Sequence, residues 1–327
     1  MAVLVGIDEA GFGPILGPLV VSSSTFSVPH NLIGADLWQI LRRSLANKRK
    51  RLAGRLLITD SKKAYNKSLG TKHLERTVLA CLKCLGKEPA TLTELIALLC
   101  PDCLERLSDY PWYKDAGGCR ISAGFGELSR AEPADIALAS AVLSDDLTAN
   151  GIKLLKLKSC CLDVAHYNKM VSSVKNKSRV LFTATSRLIK NAFDNFAGDE
   201  LQIIVDRQGG RVHYRAILQR MFSYMELKIL SERPAASSYE LYSYGKKMRL
   251  HFVVGADGRF LPVSLSSMAS KYLRELLVAN INRYFAGFHS DLRPTAGYWK
   301  DGLRFIEDLK TNIPHIEYDR EQLVRCR

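Results

Sequence analysis

A short apolar strand, Val3 to Ile7, runs directly into the adjacent carboxylates Asp8 and Glu9, and then into Gly11, Gly13, Pro14, Gly17 and Pro18. Two carboxylates at the end of an apolar strand are costly to bury unless something positive meets them. The glycines let the backbone turn sharply and pass close to a ligand. An acidic turn with a capping Asp would account for this segment alone. It does not account for recurrence: Asp206 closes the apolar run Leu201–Val205, and Asp257 follows Phe252-Val253-Val254. In an α/β sheet, strand ends of this kind converge on one crevice. Four carboxylates there would repel one another, and oxygen-loving divalent cations relieve the repulsion. Asp8, Glu9, Asp206 and Asp257 are therefore the expected catalytic metal ligands, for Mg²⁺ or Mn²⁺. Two such ions can activate a water and stabilise a leaving 3′-oxygen. The seven histidines form no HExxH or paired arrangement, which disfavours a zinc hydrolase.

The balance of charge indicates the partner. The 327 residues carry a formal net charge of +14, with 47% hydrophobic and 24% charged residues, as in a globular protein that binds an anion. The basic residues cluster. Segment 42–55 holds Arg42, Arg43, Lys48, Arg49, Lys50, Arg51 and Arg55 with no acidic residue, and the run from Lys153 to Lys190 has Asp163 as its single acid. Beside an acidic metal site, such patches suit a polyanion, and nucleic acid is expected as the partner. No apolar run reaches membrane-span length, and the first residues enter a strand at once, so neither a membrane partner nor a signal peptide is expected. A monomer in the cytoplasm follows, with the eight cysteines reduced. Cys81-Leu-Lys-Cys84 and Cys100-Pro-Asp-Cys103 have a spacing that can hold structural zinc. Against zinc, Cys81 and Cys84 fall in an apolar helical pattern where cysteine serves as a small hydrophobe. The adjacent Cys160 and Cys161 are expected in the core.

Patterning predicts strands at Val3–Ile7, Leu19–Phe26, Leu56–Thr59, Leu154–Leu157 and Leu201–Val205, and three more at 225–230, 238–243 and 247–254. Helices are predicted near 71–85, 92–107, 133–147, 178–196, 212–222 and 267–284. Strands interleaved with helices imply an α/β fold, and the opening hairpin makes the sheet mixed. A single domain, 1–327, is expected, with insertions at about 30–55, 86–150 and 225–254 and a helical C-terminal region, 285–327. The helix after Asp257 offers Ser267 and Lys271 on one face, a hydroxyl and an ammonium suited to phosphate oxygens.

Together these motifs resemble the type 2 ribonuclease H family, ribonuclease HII and its sister group ribonuclease HIII. Gly6-Ile-Asp-Glu-Ala-Gly-Phe-Gly13 is similar to the family's opening G-I-D-E-A-G-R-G, and Gly17-Pro-Leu-Val20 continues it. Asp60-Ser61-Lys62-Lys63 resembles its D-S-K-K motif; Gly255-Ala-Asp257, Ser266 to Lys271 and Arg274-Glu275 resemble its fourth carboxylate and following helix; Gly297-Tyr298 resembles its G-Y pair. The resemblance implies a ribonuclease H-like mixed β-sheet flanked by helices. It also implies endonucleolytic cutting of RNA paired with DNA, or of ribonucleotides embedded in DNA, leaving 3′-hydroxyl and 5′-phosphate ends. By that analogy Asp8, Glu9, Asp206 and Asp257 bind metal, Gly11, Phe12, Gly13 and Tyr298 sense the 2′-hydroxyl, and Lys62, Ser267 and Lys271 hold phosphate. Phe12 stands where the family has arginine and cannot make its charged contact. The alternatives are a nuclease of this fold with another substrate, such as a DNA junction or structured RNA, a nucleic-acid binder without catalysis, and a metabolic phosphatase.

Overall fold

Period-two alternation in the first strand sends Ala2 and Leu4 into one core cluster and Val3, Val5 and Ile7 into another, so this strand is covered on both sides. The computed structural model describes residues 1–50, 52–65, 70–114 and 131–326. Arg51 of the basic segment and residues 115–130 of the expected 86–150 insertion lie outside the described residues.

The strands are β1 (Ala2–Ala10), β2 (Leu19–Val28), β3 (Leu45–Ala46), β4 (Leu56–Leu57), β5 (Lys153–Leu162), β6 (Glu200–Asp206), β7 (Glu226–Glu232), β8 (Ala236–Ser243) and β9 (Lys246–Val253). Seven of them form one mixed sheet in the order β5-β2-β1-β6-β9-β8-β7. β1, β6 and β9 run parallel, β2 is antiparallel to both β1 and β5, and β7 and β8 extend the sheet as an antiparallel meander beyond β9. The helices are α1 (Leu37–Ile40), α2 (Ser61–Ala64), α3 (Lys72–Cys84), α4 (Leu92–Leu99), α5 (Leu104–Ser108), α6 (Pro133–Ala149), α7 (Val164–Val174), α8 (Lys177–Phe196), α9 (Arg215–Met221), α10 (Leu261–Ala286), α11 (Trp299–Asn312) and α12 (Arg320–Leu323). The ribonuclease H-like α/β class expected from the sequence is thus the fold observed. Among the described residues no helix is long and apolar enough to cross a membrane.

Several boundaries differ from expectation for identifiable reasons. β1 extends to Ala10, so Asp8 and Glu9 sit inside its last turn of pairing rather than beyond it. The helix expected over 92–107 is split, because Cys100 leaves the helical region and Pro101 opens a separate 3-10 turn. The described residues of the basic 30–55 excursion, expected to be helical, form short helical turns and the strand β3. α10 begins six residues before the predicted Ser267 start, with Pro262 in its first turn.

α10 positions everything else. Its small residues let it lie against β1: Ser266 Oγ donates to Gly6 O at 2.9 Å and Ser270 Oγ donates to Asp8 O at 3.0 Å. A Cβ on Gly6 would stand 2.1 Å from the Pro262 carbonyl carbon, so the close approach requires glycine there. On its other side α10 meets the aromatic turn after α5, where Trp112 packs edge-on against Tyr284 and beside Phe285.

Candidate active site

Asp8 is delivered by the pleat of β1 to the α10 side, and only 7% of it is exposed. Its Oδ1 accepts from the Glu9 amide at 2.7 Å, and the Ser267 hydroxyl stands beside its carboxylate. Asp206 ends β6, the parallel neighbour of β1. Its Oδ1 accepts from the Ala256 amide at 2.7 Å, which ties it to the turn that carries Asp257. That turn follows β9, and Gly255 at φ +60° opens it. Three neighbouring parallel strands therefore bring the four carboxylates to one end of the sheet.

Their electrostatics show the crowding. Burial, then Glu9 and Asp206, push the Asp8 carboxyl well above its ordinary range. Burial and then the Asp206 charge raise Glu9 to about 7. Asp206 rises to about 6, mainly through burial. Asp257 is raised by burial and by Asp60. Lys62 opposes these shifts at Glu9, Asp206 and Asp257.

This fixes the sign of a pH effect. A carboxyl whose folded value is raised keeps a proton that the unfolded chain has released, so stability falls as pH climbs between the two values. For Glu9 that window runs from 4.5 to about 7. In EDTA the melting temperature is expected to fall between pH 5 and pH 8. Glu9→Gln is expected to flatten that slope by an amount equivalent to a few kcal/mol. An equally steep slope in both proteins would contradict the assignment.

The chemistry of the donor set fits a hard divalent cation: buried oxygen donors with excess negative charge that Lys62 and Lys63 offset only in part. Their geometry is looser. Among the described residues no three His, Cys, Asp or Glu side chains are gathered into a group that could hold a metal ion. The zinc expectation fails on this point. Cys84 Sγ packs against the Ser140 and Ser144 hydroxyls, each at 3.3 Å. Cys103 instead contacts Cys100 at 3.3 Å and also Cys161. The two CxxC pairs have separate surroundings and serve as packing.

Beside the acids lies a cleft of about 210 Å³ whose walls include Glu9, Gly11, Phe12, Gly13, Ser61, Lys62, Lys271, Arg274 and Tyr298. Most of the residues expected to contact substrate are thus brought together. Lys62 is exposed on α2, whose N-cap Asp60 accepts from the Lys62 amide at 2.8 Å. Lys271 Nζ bonds to Glu275 at 2.7 Å and sits 5.0 Å from the Tyr65 ring centre. Ser267 is the exception: it is 2% exposed and donates to Ser61 Oγ at 3.0 Å, beneath the cleft rather than in its wall. Ser267 belongs to the buried side of α10, next to Asp8.

Two arginines that hold the glycine turn were not given that part by the sequence. Arg274, 1% exposed, donates to Leu16 O at 3.3 Å and to Ala296 O at 2.9 Å. Arg325, 4% exposed, lies 4.9 Å from the Tyr167 ring centre and donates to Pro14 O, while its own amide donates to Ile15 O at 2.8 Å. Gly297 O accepts from the Ile15 amide at 2.8 Å, which fastens the Tyr298 loop to the same turn. A Cβ on Gly11, whose φ is +91°, would meet Arg274 and Pro18 O at 2.7 Å, whereas one on Gly13 would meet nothing within 4 Å. Gly11→Ala is expected to cost about 2–4 kcal/mol. Gly13→Ala should stay within about 0.5 kcal/mol. Denaturant midpoints would check the contrast, and equal effects would contradict it.

No protein-family model matches the sequence, and no curated protein matches it. Among solved structures, the chain is similar to one in the PCNA:RNase HII complex from Archaeoglobus fulgidus, at 14% identity, covering 99% of this chain and 94% of that one, with a TM-score of 0.46. It is also similar to Aquifex aeolicus RNase H3, at 14% identity over 98% of this chain and 71% of that one, with a TM-score of 0.42. The ribonuclease H2 from Pyrococcus horikoshii OT3 shares 12% identity over 98% and 92% of the two chains, with a TM-score of 0.41. These are distant likenesses of fold, and the functional argument rests on the site itself.

Proposed function

We propose that this protein is a divalent-metal-dependent endonuclease that cuts the RNA strand of RNA/DNA hybrids, or ribonucleotides embedded in DNA. The observation that carries the reading is the set of four partly or fully buried carboxylates at one end of the sheet, three of them raised by one another's charge, of which Glu9 lines a cleft walled by glycine backbone, lysine and tyrosine. Asp8, Glu9, Asp206 and Asp257 would hold Mg²⁺ or Mn²⁺, two ions in the active complex, and these supply Lewis-acid activation and charge neutralisation. Gly11 and Gly13 present backbone close to the cleft, and the half-exposed ring of Tyr298 forms a face on which a sugar can rest. Lys62 offers an exposed ammonium for a phosphate, and Lys271, whose ammonium is shared with Glu275, faces the same cleft. Backbone and a ring face suit recognition of a ribose, whose 2′-hydroxyl both donates and accepts.

The test is cleavage of three end-labelled duplexes: a continuous RNA/DNA hybrid, DNA carrying one ribonucleotide, and all-DNA. Cutting confined to the two that contain ribose supports the reading. Cutting of all-DNA at a comparable rate would move the assignment to a nuclease with a different substrate, and tight binding with no cutting would leave a nucleic-acid binder.

A further inference from the structure

Phe12 forms part of the cleft wall, yet its ring also packs against the core cluster that contains Tyr167 and Val180. Directly over that ring, 5.3 Å from its centre, sits the ammonium of Lys177, the first residue of α8. Lys177 is exposed, as are Lys175 and Arg179 at the same corner between α7 and α8. Among the described residues no carboxylate forms an ion pair with any of the three. Lys271, by contrast, is committed to Glu275, and Arg274 to the glycine turn. The corner therefore holds unneutralised positive charge that the fold does not consume. A lysine stem laid on an aromatic face loses little further freedom when its head group meets an anion, because the ring has already restricted it.

We propose that Lys177, held over Phe12, is a phosphate contact for the nucleic-acid strand that leaves the cleft along the α7–α8 corner. The contact widens the footprint beyond Lys62 and Lys271, which come from other elements, and it rests on the nucleic-acid reading above. Phe12 acts in it as a positioning residue: the ring cannot touch phosphate as a charge, but it steers a cation from elsewhere in the chain to the cleft wall. An uncharged residue between the two glycines is thereby compatible with a charged wall.

The experiment is the salt dependence of binding to the continuous RNA/DNA hybrid, measured in EDTA so that cutting does not intervene. One phosphate contact contributes a slope of about 0.9 in log affinity against log salt. Lys177→Gln is expected to lower the slope by roughly that amount, weaken binding several-fold at moderate salt, and raise KM for cleavage in Mn²⁺ with kcat unchanged. Phe12→Leu keeps an apolar side chain on the core and is expected to weaken binding less, without changing the slope. Lys83→Gln, on α3 outside both basic runs and paired with Glu88 at 2.7 Å, is the control and is expected to match the wild type. An unchanged slope in Lys177→Gln, or an equal loss in Lys83→Gln, would overturn the proposal. A wild type that binds but never cuts would instead sink the nuclease reading while the slope still decides the role of Lys177.

Discussion

Asp8→Asn is expected to abolish cleavage while leaving the metal-free protein more stable than the wild type. The two effects have one origin. Asp8 is almost fully buried beside Glu9 and Asp206, and its carboxyl is held well above the ordinary range by burial and by their charges. A neutral amide of the same shape keeps an oxygen to accept the Glu9 amide and removes the repulsion. At pH 8 in EDTA the gain is about 1–2 kcal/mol, read as a higher melting temperature. Cleavage of the hybrid in Mn²⁺ should fall by roughly 10³-fold or more, because a residue that acts as part of a catalytic unit is not replaced by its neighbours. The wild type should gain more stability than the variant from added Mn²⁺. A variant less stable than the wild type in EDTA would show that Asp8 is a structural acid with a satisfied environment.

Arg274→Ala is the second large effect. The guanidinium threads between Gly11, Gly17 and Gly297, donates to two carbonyls from different loops, and pairs with Glu275 at 3.4 Å. Removing it leaves a cavity, two carbonyls without their donor, and Glu275 with only Lys271. Together these cost about 3–5 kcal/mol, or a fall in melting temperature of roughly 4–7 °C. Arg274→Lys is expected to recover only part of the loss, since an ammonium cannot span both carbonyls and the carboxylate. The glycine turn and the Tyr298 loop are joined through this side chain, so the alanine variant should also bind hybrid more weakly. A melting temperature within about 2 °C of the wild type would contradict this account of the turn.

How much of this could be read in the sequence varied by element. The β1–β2 hairpin, β6 and the strand-end acids were legible because alternating or continuous apolar runs break at a carboxylate. The start of α10 was not: the helix is buried on nearly all sides, so Leu261 to Ser266 show no amphipathic period, and Pro262 resembles a break when it is a first-turn residue. β5 was predicted short because Lys153, Lys156 and Lys158 interrupt the apolar run of an edge strand ten residues long. The zinc spacing misled because CxxC records separation along the chain, and here Cys103, in the 3-10 turn after α4, meets Cys161 of β5. The part played by Arg325, and the contact between Lys177 and Phe12, depend on tertiary approach over long separations, and no local pattern announces them.

The central claim is that the four acids cut a ribose-containing strand with the help of a divalent cation. The most direct test is one end-labelled RNA/DNA hybrid incubated with the wild-type chain in Mn²⁺ and, in parallel, in EDTA, with the product ends identified. The account predicts internal cuts in the RNA strand alone, in Mn²⁺ alone, leaving 3′-hydroxyl and 5′-phosphate ends. Cutting that persists in EDTA, or an intact RNA strand in Mn²⁺ under conditions where the hybrid is bound, would contradict it.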